Sequence, residues 1–428
     1  MLIYGINNSI NIIPFWIKKE VFMKILINIL ILLFFITYEK KNIFQEKQNI
    51  EVKLQRYIKH KRTNKIANYY NYEKKLPEII NYIKKLREGS FQNNIIYDEI
   101  LKPKVSFIAS VYNKEKYLDS FISSIQNQNL KDFELIIVDD CSTDKSINII
   151  KKYMQNDKRI KLFKNNENKG SLFTRYRGVI HSKGEYIIFV DSDDIILKDG
   201  ILSVYNYIIK NNLDMVEFSS VFEKNSSSIF ISKRYYQYYN IIYQPLLSYI
   251  FYYNIDNKKG NEYNTALWDK LIKREIVLNA FEFIGQKFIN EKIIIENDVI
   301  ILFSLFKNAK SFQYFDELGY YYFFTNNDSI TNTRNNPLKS YLIIHSIFCN
   351  IKFLYEKTGN TYLEKYFCLF KLEQGCYRYK KCFNHINKEY GLLLIKSVFN
   401  ELLESNYISL ENKNRIRNIF KKIFINSK

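Results

Sequence analysis

Cysteine and histidine are scarce, with five Cys and four His in 428 residues. Cys141, Cys349, Cys368, Cys376 and Cys382 are odd in number, so they cannot all pair in a disulfide framework, and no C-x-x-C spacing offers a zinc corner. His60, His181, His345 and His385 are scattered along the chain. Any metal chemistry therefore falls to carboxylates, which select hard divalent ions of the Mg2+ or Mn2+ kind. Glycine-rich phosphate cradles are missing as well: no G-x-G-x-x-G follows the first strand pattern, and no G-x-x-x-x-G-K-[ST] occurs. Dinucleotide hydride transfer and P-loop phosphoryl transfer lose most of their support.

Acid is the minority charge, 44 Asp+Glu against 64 Lys+Arg, for a formal net charge of +20. Such a balance invites a nucleic-acid partner. The lysines, however, come with abundant Asn, Ile and Tyr along the whole chain, which is a compositional drift and not a patch, so no nucleic acid is expected. A hydrophobic content of 47% gives ample material for a core.

The most informative stretch is E-Y-I-I-F-V-D-S-D-D, 185–194. Tyr186 to Val190 form an apolar, β-favouring run suited to a strand covered on both faces. It ends in Asp191, Asp193 and Asp194, and carboxylates so crowded repel one another unless a cation or strong donors hold them. An acidic helix cap needs one Asp and not three. A calcium loop counted from Asp191 wants Gly and Glu where Ile196 and Leu202 stand.

Two further strands show the same habit of ending in polar residues. V-S-F-I-A-S-V (105–111) runs into Tyr112-Asn113, and F-E-L-I-I-V (133–138) runs into Asp139-Asp140-Cys141-Ser142-Thr143-Asp144. Helical patterns follow each: Tyr117, Leu118, Phe121, Ile122 and Ile125 after the first, then Ile147, Ile150 and Met154 behind a Thr143 or Asp144 cap. A strand at 159–163 and a helix at 171–182 complete the series. Such alternation predicts an α/β domain with a mostly parallel sheet flanked by helices, whose ligand lies beyond the carboxyl ends of the strands. Three polar clusters would meet at that edge, which fits a nucleotide held by side-chain carboxylates with its diphosphate bridged by a metal.

Before this domain, residues 21–38 form a mostly apolar run flanked by Lys18, Lys19, Lys40 and Lys41. At about 1.5 Å per residue it approaches the roughly 30 Å hydrocarbon thickness, which makes it a membrane anchor behind a short tail at 1–20. A cleaved signal peptide and a buried helix are the alternatives, and Lys24 and Asn28 sit uneasily in a span. Residues 39–101 read as a stem with helical periodicity at Leu76, Ile79, Ile80, Ile83 and Leu86. Residues 332–428 alternate apolar and Lys/Asn positions in a helical C-terminal extension.

The motifs K-V-S-F-I-A-S-V-Y-N-K-E-K-Y-L (104–118), F-E-L-I-I-V-D-D-C-S-T-D (133–144), N-K-G-S-L-F-T-R-Y-R-G-V (168–179) and G-E-Y-I-I-F-V-D-S-D-D (184–194) occur in that order. L-W-D-K-L-I-K-R-E (267–275), E-N-D-V-I (296–300) and Y-Y-Y-F-F-T-N-N-D-S-I-T (320–331) follow. Together they resemble glycosyltransferase family 2 and its GT-A fold, over a domain at 102–331. The resemblance implies an inverting transferase that moves a sugar, of the hexosyl or N-acetylhexosaminyl class, from a nucleotide-diphosphate sugar to a hydroxyl on a glycan, lipid or protein acceptor.

It also implies roles. Ser110, Tyr112, Asn113 and Asp140 would surround base and ribose, with Asp139 as a structural neighbour and Arg175 near the nucleotide. Asp191 would face the ribose and, with Asp193, hold Mn2+ or Mg2+, while Asp194 assists. Asp298 is the candidate general base; Asn297 separates it from Glu296, where the family pattern has Glu-Asp together, so Glu296 is the alternative. Trp268 and Asp269 would line the acceptor side, although an ordinary core Trp accounts for Trp268 as well, and Cys141 stands where Gly is common. The broken Glu-Asp pair leaves open a catalytically inactive, membrane-tethered nucleotide-sugar-binding protein. Sequons at Asn225 and Asn327 suit a single-pass protein of the endomembrane system, in Golgi or ER.

Overall fold

The computed structural model describes residues 65–89, 96–225, 228–231, 242–243, 266–293 and 297–323, with short stretches between 346 and 421. The 21–38 run, Glu296 and most of 332–428 lie outside the described residues. Among the described residues no helix is long and apolar enough to cross a membrane.

Helix α1 (Lys65–Arg87) precedes the alternating series. That series consists of β1 (Val105–Val111), α2 (Leu118–Gln126), β2 (Phe133–Asp139), α3 (Ser146–Asn156), β3 (Ile160–Lys164), α4 (Ser171–His181) and β4 (Tyr186–Asp191). These four strands lie side by side in the order β3-β2-β1-β4, all parallel. The chain moves outward from β1 through β2 to β3 and then returns to the other side of β1. The switch point therefore falls between β1 and β4. There the register sets Ser110 beside Asp191, while Val111 faces Asp139 on the other flank.

Strand periodicity supplies two apolar faces. Val105, Phe107, Ala109 and Val111 point to a core shared with Phe121, Ile122 and Ile125 of α2 and Ile150 of α3. On the opposite face α4 comes so near that a Cβ added to Gly178 would lie 2.4 Å from Ile108 Cγ2. Only glycine allows that approach, which brings the rest of α4 down onto the sheet.

The remaining elements are β5 (Ile195–Ile196), α5 (Gly200–Lys210), β6 (Met215–Asn225), β7 (Ser228–Ile231), β8 (Ile242–Tyr243), β9 (Lys270–Lys273), α6 (Arg274–Ile284), α7 (Gln286–Ile289), α8 (Asn297–Asn308) and β10 (Ser311–Phe323). They correct the mostly parallel sheet expected from the sequence. The short β9 enters antiparallel between β4 and β6, and β5, β7 and β8 also pair antiparallel, so the ten-stranded sheet is mixed. Among the named strands of the described residues, β6 with β10 adds another parallel pair. Local periodicity marks a strand but carries no information on the direction of a neighbour far away in sequence.

Helix α1 belongs to this body. Ile83 and Leu86 are buried against Ile195, Leu197, Val221, Leu318 and Tyr321. Arg87 closes the contact through an ion pair to Glu223 at 2.8 Å, lying over the ring of Phe323.

Candidate active site at the sheet switch point

Two loops meet above the switch point, and the polar letters after β1 and β2 explain how. Asn113 and Cys141 both hold left-handed backbone, at φ 51° and 67°. Asn tolerates that region. Cys141 has no such excuse, which shows that the glycine common at this place meets a backbone requirement and not a packing one. The Asn113 carboxamide oxygen accepts the Thr143 N–H at 2.8 Å, and the Asn113 N–H donates to Ser142 Oγ at 2.9 Å. Ser146 Oγ accepts from the Lys114 N–H, and Asp144 accepts from the N–H groups of both Glu115 and Ser146. The N-cap position of α3 is Lys145, one residue later than the Thr143 or Asp144 expected, and Asp144 serves the helix start by accepting the Ser146 N–H. The β1–α2 and β2–α3 loops are laced into one rigid rim, and Tyr112 stands on it 47% exposed.

The two adjacent acids after β2 divide their work differently from the expectation. Asp140 is buried and its carboxylate is already engaged by Asn165 Nδ2 at 2.7 Å and by the Lys169 and Gly170 N–H groups at 2.8 and 2.9 Å. It thereby pins the start of α4, where negative charge also suits the helix dipole. Gly170 has φ 85°, and any Cβ there would meet the Ile293 carbonyl at 3.0 Å. Asp139 instead accepts the Ser142 N–H through Oδ2 at 3.0 Å and keeps Oδ1 buried without a partner. Ser110 Oγ, one strand away, is also buried and unpartnered. Unmet polar atoms of this kind call for a ligand or water.

On the side of the switch point nearer β4, Arg175 is the hub. It lies one turn into α4, 7% exposed. Nη2 donates to Asp191 Oδ1 at 3.1 Å, while Nη1 donates to both Asn297 Oδ1 and Asp298 Oδ1 at the first turn of α8. Asn297, the residue that interrupts the acidic pair, therefore has a task of its own: its amide seats the guanidinium beside Asp298. Asp193 pairs with Lys114 Nζ at 2.6 Å.

Burial drives the Asp191 carboxyl up to about 6; Arg175 opposes the shift, and Asp298 and Asp193 add to it. The Asp194 carboxyl is also raised well above its ordinary value, by burial first and then by Asp193 and Asp191. Both of its oxygens are taken, one by the Tyr320 hydroxyl at 2.8 Å and one by the Phe323 N–H at 3.0 Å. Burial keeps the Tyr320 phenol protonated, and its oxygen also accepts the Asp191 N–H at 3.1 Å. Asp194 thus ties β10 to the tip of β4 and does not stand open beside Asp193 as an assisting ligand.

Among the described residues no three His, Cys, Asp or Glu side chains converge as a metal shell. Asp191 and Asp193 nonetheless fit a Mg2+-type ion, which takes one or two carboxylates and completes its shell with substrate phosphates and water. Burial is the first cause of the raised Asp191 carboxyl, Asp298 and Asp193 add to it, and such an ion would relieve that added repulsion.

Residues 106–277 match the family model described as Glycosyl transferase family 2. The matched stretch is similar to family 2 glycosyltransferase domains. With that match, the alternating parallel strands and the mixed second half make the fold GT-A-like. Among relatives, an uncharacterized glycosyltransferase of Haemophilus influenzae is 44% identical over 113 residues, covering 26% of this chain and 45% of that one. A cholesterol galactosyltransferase of Borreliella burgdorferi is 29% identical over 244 residues, covering 54% and 61%. The chain thus spans about half the length of these relatives. Staphylococcus aureus TarS 1–349, solved in complex with UDP-GlcNAc, is 17% identical and aligns with a TM-score of 0.42 over 74% of this chain and 92% of that one.

Within the matched stretch, two expected acceptor-side residues are not open surface. Trp268 is 6% exposed and stacks on Tyr320 and Tyr322, with ring centroids 4.5 and 5.4 Å away. Asp269 is fully buried against Lys270 Nζ at 2.8 Å. Both lead into β9, and their burial follows from its place inside the sheet. Three contributors went unassigned from the sequence: Lys114, Asn297 and Tyr320. Each lies within a quoted motif, but nothing in its local pattern reveals a partner 79 to 126 positions away: Asp193 for Lys114, Arg175 for Asn297 and Asp194 for Tyr320.

Proposed function

We propose that this chain is a metal-dependent, inverting glycosyltransferase that moves a sugar from a nucleotide-diphosphate sugar to a hydroxyl acceptor. The observation that carries the reading is Arg175, which joins Asp191 at the tip of β4 to Asp298 at the start of α8 directly beside the switch point. A positive group near the leaving diphosphate and a carboxylate for the acceptor proton are thereby delivered to one place. Asp193 and Asp191 would hold Mn2+ or Mg2+, which supplies charge neutralisation to the departing diphosphate.

Asp298 takes the proton of the acceptor hydroxyl as its oxygen bonds to the anomeric carbon, and the bond from that carbon to the diphosphate oxygen breaks on the opposite face. Arg175 stabilises the negative charge left behind. Ser110 and Asp139, with their unmet polar atoms, and Tyr112 on the rim suit the nucleoside. The Borreliella relative transfers galactose to cholesterol, as its name states, and so supports donors of the hexose class here. Membrane attachment through 21–38 belongs to the same reading.

The test is to incubate the full-length protein with Mn2+ and a panel of nucleotide sugars and to measure released nucleoside diphosphate. Asp193→Asn is expected to lose at least ~10²-fold in kcat, the usual cost of removing a main electrostatic stabiliser. Full activity in that variant or in chelator would end the metal-dependent mechanism.

A second reading, a nucleotide-sugar-binding protein without turnover, has one observation in its favour: one oxygen of Asp298, the candidate base, is engaged by Arg175. It predicts stabilisation by a nucleoside diphosphate, about 2.7 kcal/mol at a hundred times Kd, with no sugar released from any donor.

A further inference from the structure

The ion pair between Lys114 and Asp193 has no role in the mechanism above, yet it occupies the carboxylate that a divalent ion would need. Lys114 Nζ lies 2.6 Å from Asp193 Oδ2, and the two side chains are only 18% and 16% exposed. The lysine backbone is fixed, because its N–H is bound by Ser146 Oγ at 2.9 Å and its neighbours Asn113 and Glu115 are tied to the same loop. Its four-carbon stem remains the movable part. In that same position the ammonium also lies over the Tyr117 ring, 5.6 Å from its centroid, so the ring steadies the charge beside Asp193.

The local charge count gives the pairing a consequence. Among the described residues, Asp191, Asp193 and Asp298 are three carboxylates facing two cationic side chains, Arg175 and Lys114, while burial biases the neighbouring Asp194 toward its neutral form. A divalent ion entering alone would turn this nearly balanced cluster positive. An ion entering with a diphosphate would not.

We propose that Lys114 is the place-holder of the donor site: its ammonium neutralises Asp193 in the free protein, yields that carboxylate to the divalent ion, and then binds a phosphate oxygen of the nucleoside diphosphate. Ion and nucleotide therefore load together. The proposal rests on the transferase reading above and adds to it a residue and an order of binding.

The test measures Mn2+ binding directly, from the electron paramagnetic resonance signal of free Mn2+, on full-length protein with and without uridine or guanosine diphosphate. Wild type is expected to bind Mn2+ weakly alone and much more tightly with the diphosphate. Lys114→Met should bind Mn2+ alone roughly tenfold more tightly than wild type, the low end of what a hydrogen bond to a charged group is worth. In chelator the same variant should bind the diphosphate more weakly, while Lys114→Arg stays near wild type in both. Lys114→Gln gives the same readings if the Met variant melts early.

Equal Mn2+ affinity of wild type and Lys114→Met in the absence of nucleotide overturns the assignment, and leaves the metal reading intact if diphosphate still promotes uptake. Absence of Mn2+ uptake by every variant, with either diphosphate present, overturns both.

Discussion

Replacing Arg175 by Met removes one buried guanidinium from between two carboxylates and an amide, and its cost can be worked from the contacts. Breaking a fully buried pair by deleting one partner costs about 3–5 kcal/mol. Here the Asp298 side chain remains 30% exposed and Asp191 already leans toward its protonated form, so part of their loss is recovered. About 2 kcal/mol remains, which in a domain of this size lowers Tm by about 4–8 °C. The rate should suffer more than the fold, by about 10²–10³-fold in kcat at a temperature where both proteins are folded, since a stabiliser of the leaving group is gone. Arg175→Lys keeps the charge but not the fork that reaches Asp191 and Asp298 together, and should recover stability better than rate. Thermal melts and initial rates on the three proteins decide the matter. An Arg175→Met protein that melts several degrees early yet turns over normally would show that the residue is structural and the site lies elsewhere.

Two further outcomes are expected. The Asp191 carboxyl titrates near 6 when folded and near its ordinary ~4 when unfolded, so between these values the folded protein keeps a proton that the unfolded chain has released. Stability contributed by this group therefore falls as pH rises from about 4 to about 6 and is level above. Melts of Asp191→Asn across that range should lack this part of the slope and show a higher Tm at neutral pH, together with weaker nucleoside diphosphate binding; slopes identical to wild type would contradict the assignment. Cys141→Gly should stabilise by up to about 1 kcal/mol, because the left-handed residue costs about 1–2 kcal/mol with a Cβ and glycine returns only part of that as unfolded-state entropy. A lower Tm in that variant would mean that the Sγ contact to the Asn166 carbonyl matters more than the backbone.

What the sequence disclosed and what it withheld follow a physical division. Runs such as 105–111, 133–138 and 186–190 became β1, β2 and β4 because burial on both faces leaves an unmistakable apolar, β-branched stretch. That the ends of β1, β2 and β4 meet at one edge followed from parallel alternation, whereas Ser110 was singled out only through the family resemblance. The distribution of tasks among neighbouring acids did not. Whether Asp139 or Asp140 has an oxygen to spare depends on donors at 142, 165, 169 and 170, which the order of letters does not fix. In the same way Trp268 read equally well as a sugar platform or a core residue, and it was β9, a strand of four residues from far along the chain, that decided for burial.

Helix α1 sets a practical limit on dissection of the molecule. A fragment cut at the start of the matched motifs, near residue 104, would strip the cover from Leu318 and Tyr321 and leave Glu223 without its guanidinium. Such a piece would offer a sticky apolar stripe along β10, the strand whose Tyr320 and Phe323 grip Asp194. Expression boundaries drawn ahead of residue 65 keep the lid on that stripe, so what reads as a mere spacer is better regarded as the last piece of the catalytic body.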